Sequence, residues 1–167
     1  MGRIESLLAM AAERRTGFLV DEEMSGSHHF TDERSEQGEQ PFVFRVTWGC
    51  RHLSKFVNPM DPEFLTAFLN GTVTVGGLCT DAPCEGSLEL RYFSEAKIRY
   101  TFDLEVEGHR YRFVGEKRDI RPWNLHRTHT TCYGTLTDLE TGEVVSESVT
   151  HFRISTAPVF MASFRLA

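Results

Sequence analysis

Residues 97–118 alternate in polarity along their length, and Lys117 stands where that alternation asks for an apolar side chain. Ile98, Tyr100, Phe102, Leu104 and Val106 fall on one face, and Lys97, Arg99, Thr101, Asp103, Glu105 and Glu107 on the other. Gly108 turns the chain. The return strand carries Tyr111 and Phe113 on the apolar face, against Arg110 and Arg112. Successive side chains leave opposite faces of a strand, so the face that holds Phe113 next holds Gly115 and then Lys117. An ammonium directed inward needs a partner or water. Its chemistry would be to meet a ligand's carboxylate, phosphate or carbonyl, or to act as an amine of lowered pKa. Two plainer readings compete: the strand stops at Gly115 and the lysine snorkels to solvent, or a bulge at Gly115 reverses its face.

A second polar patch follows at residues 127–133. His129, Thr131 and Tyr133 share one face; Thr128, Thr130, Cys132 and Leu136 share the other. The partner strand brings His151 and Arg153 on one face and Thr150, Phe152 and Ile154 on the other. Symmetric pairing about Gly142 would set His129 beside His151. Two imidazoles and a phenol in one patch suit a polar head group or a proton shuttle. The competing reading is a solvated outer face whose Thr and His serve strand propensity.

Other groups converge less well. His126 and His129 lie three apart, which on a strand sets them on opposite faces, and His28 and His29 are adjacent. Cys79 and Cys84 lack the tighter paired spacing of a zinc knuckle. No phosphate-cradling glycine loop, nucleophile elbow or dinucleotide fingerprint occurs, and no cofactor or metal is expected. Trp123, between Pro122 and Asn124, reads as a lid or plug near an opening.

The elements that must position these groups are mostly strands. Residues 3–15 have helical spacing at Ile4, Leu7, Leu8 and Ala11, which predicts an N-terminal helix over 1–16. Residues 17–40 are polar and read as a loop with at most a short strand near Phe30. Strands are expected over 42–48, 72–78, 86–93, the 97–118 hairpin, a second hairpin over 127–154, and 158–166. A short helix is expected over 62–69, capped by Asp61. Consecutive hairpins of this kind predict a mainly β fold in one domain over 1–167. The expected form is a closed or nearly closed antiparallel barrel, lipocalin-like (calycin-like), of about eight to nine strands over 41–167. A sandwich is the alternative.

Bulk composition agrees with a soluble globular chain: 167 residues, 40% hydrophobic and 25% charged. Thirteen Phe against two Trp and four Tyr suit a thick core or an apolar cavity, because Phe buries area without needing a hydrogen-bond partner. The net charge of −6 argues against nucleic acid and against an anionic membrane surface. No apolar run is long enough to span a bilayer, and charges interrupt the N-terminus where a secretory signal would be apolar. A cytoplasmic location is expected, with Cys50, Cys79, Cys84 and Cys132 as free thiols.

A set of spaced motifs resembles a known bacterial module. It comprises Phe30-Thr31, Leu69-Asn70-Gly71-Thr72-Val73, Tyr100, Phe113-Val114-Gly115-Glu116-Lys117, Trp123, Thr130-Thr131-Cys132-Tyr133 and Ser163-Phe164-Arg165. That module occurs fused to glucose-methanol-choline type flavin oxidases related to cholesterol oxidase, and to α/β-hydrolases. The resemblance runs over most of the chain after Met24 and implies a β-rich domain accompanying enzymes of sterol-like or other lipid substrates. It implies a possible oxidase or hydrolase partner protein. The flavin-binding glycine motif is lacking here, so oxidase activity is not implied.

Together these readings point to a module that binds a hydrophobic small molecule, lipid- or sterol-like. Tyr100, Phe102, Tyr111 and Phe113, with Ile98, would form the apolar wall, and Lys117, with Tyr133 or His129, would meet the ligand's polar end. Thr131 and Trp123 complete the expected site. The alternatives are a cofactor-independent isomerase, cyclase or hydratase using His129, His151, Lys117 and Tyr133, and a protein-interaction module.

Overall fold

The computed structural model of the chain describes residues 17–121, 123, 130–152 and 165–166. The strands are β1 (Phe18–Phe30), β2 (Gln40–Cys50), β3 (Thr66–Val75), β4 (Cys79–Arg91), β5 (Lys97–Val106), β6 (His109–Lys117), β7 (Thr131–Asp138), β8 (Val144–Phe152) and β9 (Arg165–Leu166). Each of β2 to β7 pairs antiparallel with its successor, β8 pairs with β1, and β1 returns to β2. Eight strands therefore close on themselves, and β9 adds two residues beside the start of β1. Closure leaves no long sheet edge unpaired. The expected N-terminal helix over 1–16 lies outside the described residues. Among the described residues, no helix is long and apolar enough to cross a membrane.

Residues 17–40 are not the loop that their polarity predicts. β1 occupies thirteen of them, and a 3₁₀ turn (Glu33–Gln37) five more. The inward positions of β1 are Phe18, Val20, Glu22, Met24, His28 and Phe30, all buried. Period two is intact, but Glu22 and His28 interrupt its apolar half and disguise the strand. The expected helix over 62–69 is also replaced: β3 begins at Thr66, and the short helix α1 is Leu53–Phe56, upstream. The next strand, expected from residue 86, already begins at Cys79.

The two barrel ends differ. One carries the compact connections: the 3₁₀ turn, residues 76–78, the Glu107-Gly108 turn and residues 139–143. Glu107 and Gly108 both have positive φ (51° and 83°), the conformation of a tight two-residue hairpin, and glycine meets it without strain. The other end carries residues 51–65, 92–96 and 118–130, which include the two longest connections between the described strands. Inside, the rings of Phe42, Phe44, Phe102 and Phe113 fill the middle, with Phe102 stacked on Phe113 at 4.7 Å and Phe42 and Phe44 at 5.2 and 5.7 Å from Phe113. A barrel of eight strands is about as wide as its own inward side chains. Each such Phe contributes roughly 1.5–3 kcal/mol by leaving water.

Candidate functional site

The register of β5 against β6 runs without a break from Val106↔His109 to Ile98↔Lys117. No bulge intervenes at Gly115, so Lys117 faces the interior with Tyr111 and Phe113, and only 4% of it is exposed. Its Nζ donates to Oε1 of Glu22 at 2.8 Å. Glu22 is itself 7% exposed and comes from β1. Tyr100 Oη, on β5, donates to both carboxylate oxygens at 3.1 and 3.0 Å. Trp48 Nε1, on β2, donates to Oε2 at 3.1 Å. In a ring of eight strands β1 and β5 lie on opposite walls, so this network is a polar bar across the barrel. Lys117 Nζ also lies 5.3 Å from the Tyr100 ring centroid, on whose electron density a cation is stabilised.

Burial governs the protonation of the surrounding groups. It pushes the Tyr100 phenol well above its usual value, and the Glu22 charge adds to that push, so Tyr100 stays a donor. The Tyr92 phenol is raised for the same two reasons. Burial raises the Cys132 thiol to about 12, against the opposing influence of Lys117. Cys132 is therefore a protonated, unreactive thiol.

The wall formed by β6, β7 and β8 is small and polar. Gly115 pairs with Gly134, and Gly134 with Ser148. A Cβ at Gly134 would stand 2.2 Å from the Phe113 ring, and one at Gly115 2.6 Å from it. The two glycines thus seat that ring flat on the wall. One level toward the long-connection end, Cys132 pairs with Thr150, and the antiparallel ladder puts Lys117 beside Cys132. The Ser148 hydroxyl is buried without a hydrogen-bond partner, and the fully buried Thr150 hydroxyl has only the Cys132 thiol beside it.

Above and below the bar the interior is apolar. Toward the long connections, Phe18 packs edge-on against Trp48 at 5.8 Å and against Phe56 of α1 at 5.2 Å, and Ile120 is buried beyond β6. Toward the compact end stands the Phe layer, then His28. His28 Nε2 donates to Gly76 O at 2.9 Å and Nδ1 accepts from Ser146 Oγ at 2.7 Å, a pairing that assigns the neutral tautomer. Arg34 of the 3₁₀ turn, paired with Asp32, closes this end over Phe30, 4.2 Å from its centroid.

The expected site is therefore divided. Tyr100 contributes its hydroxyl to the bar instead of serving only as apolar wall. Phe102 and Phe113 fill the middle. Tyr111 belongs to the compact end, six residues and so about 20 Å along β6 from Lys117. Tyr133 and Lys117 stand on opposite faces of the barrel wall. It pairs with Glu116, the outward neighbour of Lys117, and is 44% exposed with Arg118 5.2 Å from its ring. Thr131 Oγ1 meets His151 Nδ1 at 3.2 Å on the same exposed face. An open outer cleft of about 380 Å³ includes Tyr133, Glu116, Arg118 and Val149 in its lining. Trp123 is 76% exposed in the β6–β7 connection. His129 lies outside the described residues. The acid–base set of Lys117, Tyr133 and His151 is split by the barrel wall. Glu22 was missed from sequence; the available signal was its place in the inward series Phe18, Val20, Glu22, Met24.

No protein-family model matches this chain, and neither a curated protein nor a solved structure matches it.

Proposed function

We propose that the barrel binds one small, mostly apolar molecule, lipid- or sterol-like, whose single polar group meets the Glu22–Lys117–Tyr100–Trp48 network. One observation carries this reading: a charged pair is held inside a barrel whose middle is otherwise lined by Phe. Removing two charges from water costs more than their attraction usually returns, and apolar replacements are often as stable. A buried pair with this many placed donors is therefore better suited to recognition than to stability. The Phe layer confines the ligand to the half of the barrel under the long connections, with Phe56 of α1 as the plug it displaces. The same scaffold supports a cytoplasmic location through its four free cysteines. A role beside a separate lipid-handling oxidase or hydrolase belongs to the same proposal, supported by the motif resemblance and tested by co-purification from the native source.

The test is a titration with a neutral fluorescent apolar dye such as Nile red, followed by displacement with a fatty alcohol and a sterol. Saturable binding with one site per chain is expected, weakened by Phe44→Trp, which fills the middle further, and by Lys117→Met. Absence of saturable binding for every apolar compound removes the reading.

A further inference from the structure

Resting on that binding reading, we infer that the ligand's polar group is an uncharged hydrogen-bond acceptor, a carbonyl or hydroxyl oxygen, and not a carboxylate or an ammonium. The argument is a count of charge and of hydrogen-bond capacity. Among the described residues, the buried ionisable side chains with full charge are Glu22 and Lys117, and they sit 2.8 Å apart. The interior they share is neutral as a pair. An entering carboxylate would find its attraction to Lys117 offset by repulsion from Glu22, in a medium where neither is well screened.

The acceptor side of the network is already engaged. Glu22 receives Lys117, Tyr100 and Trp48, which leaves little for an ammonium ligand to bind. The donor side is not. An ammonium has three N–H bonds, and Lys117 directs one to Glu22. The Thr150 hydroxyl, fully buried on β8, has only the Cys132 thiol, a weak partner, as its polar contact. It stands across Cys132 from Lys117: Cys132 pairs with Thr150, and the Cys132 thiol faces the Lys117 charge. The unused capacity at this level is therefore donor capacity from two neighbouring points, in a site of no net charge. A ketone or alcohol oxygen accepts both donors and brings no charge of its own. The ligand lies with that oxygen toward β6–β8 and its apolar body toward Phe18 and Phe56, because the Phe layer closes the other direction.

The experiment compares displacement of Nile red by dodecanol, a long-chain methyl ketone, dodecanoate and dodecylammonium at neutral pH, below the concentrations at which they form micelles. The ketone and alcohol are expected to bind about tenfold or more tighter than either ion. Glu22→Gln, which leaves Lys117 uncompensated, is expected to reverse the order in favour of dodecanoate. Thr150→Val removes a hydroxyl whose only polar contact is the Cys132 thiol, so it keeps the test open where Glu22→Gln does not fold. It is expected to weaken the ketone by about threefold or more, with the affinity of Nile red for the variant measured separately. Tightest binding of either ion to the wild-type protein overturns the inference while leaving the binding reading intact. Ketone affinity unchanged in Thr150→Val overturns the donor assignment. Failure of Nile red and all four compounds to bind removes the binding reading itself, a result distinct from a wrong order among them.

Discussion

The carboxylate of Glu22 and the ammonium of Lys117 meet 2.8 Å apart inside the barrel, one reaching from β1 and the other from β6, ninety-five positions away in sequence. Both side chains are almost fully enclosed, 4% and 5% exposed. Each is tolerable there because the other is present.

That dependence sets the response to mutation. Lys117→Met alone leaves Glu22 buried without its counter-charge and is expected to lower unfolding stability by about 3–5 kcal/mol. The double variant Glu22→Leu/Lys117→Met removes both charges and is expected to recover most of that loss. Urea denaturation of the three proteins measures it. A double variant as unstable as the single one would mean that the pair is not coupled.

Tyr100 is expected to matter through its hydroxyl as well as its ring. Tyr100→Phe keeps the ring among Phe44 and its neighbours but takes one donor from Glu22. A loss of about 1.5–3 kcal/mol is expected, the range for a hydrogen bond to a charged group. Equal midpoints for the wild-type and Phe proteins in denaturant would show that Tyr100 serves as packing alone.

The seat of the Phe113 ring predicts an unusual cost for a small substitution. Gly134→Ala places a methyl 2.2 Å from a ring that is itself fully buried among Phe42, Phe44 and Phe102. The backbone there is not in the left-handed region, so the penalty is one of space. A destabilisation of about 1–3 kcal/mol is expected. Phe113→Leu in the same chain should relieve part of it, as thermal unfolding of the single and double variants would reveal.

His28 predicts a pH dependence. Burial holds its imidazole below the ordinary value of 6.5, and the charges of His29 and Arg34 act in the same direction against the hydrogen bond to Gly76. The unfolded chain then binds a proton at higher pH than the folded one. The contribution of His28 to stability is complete above 6.5 and declines as the pH falls below that value toward the lower folded pKa. Asp21, Asp32 and Asp103 have lowered values, so their contributions are complete above 3.8 and are lost only on acidification below it. Denaturation midpoints measured downward from neutral pH should first fall in the His28 window. His28→Gln should flatten that part of the curve and leave the carboxylate part in place. An equal slope in both proteins would assign the window to other groups.

The sequence by itself determined the alternation of β5 and β6, because residues a few positions apart on one hairpin share a local register, whereas the inward face of Lys117 was decided by the unbroken pairing of β6 with β5 past Gly115. It determined a succession of amphipathic antiparallel hairpins, which a barrel or a sandwich could accommodate, and the pairing of β1 with both β2 and β8 decided for the barrel. Only the tertiary structure decided that residues 18–30 form a strand. Their inward series contains a carboxylate and an imidazole, and those side chains are acceptable inside only through Lys117, Tyr100, Trp48, Ser146 and Gly76, all distant along the chain. The separation of Tyr133 from Lys117 was likewise decided by the pairing of β6 with β7, which sets Tyr133 opposite Glu116 and so on the outer face. Side-chain alternation is written in each strand, whereas the partner that makes a buried charge affordable is supplied by whichever strand the closed sheet brings across the interior.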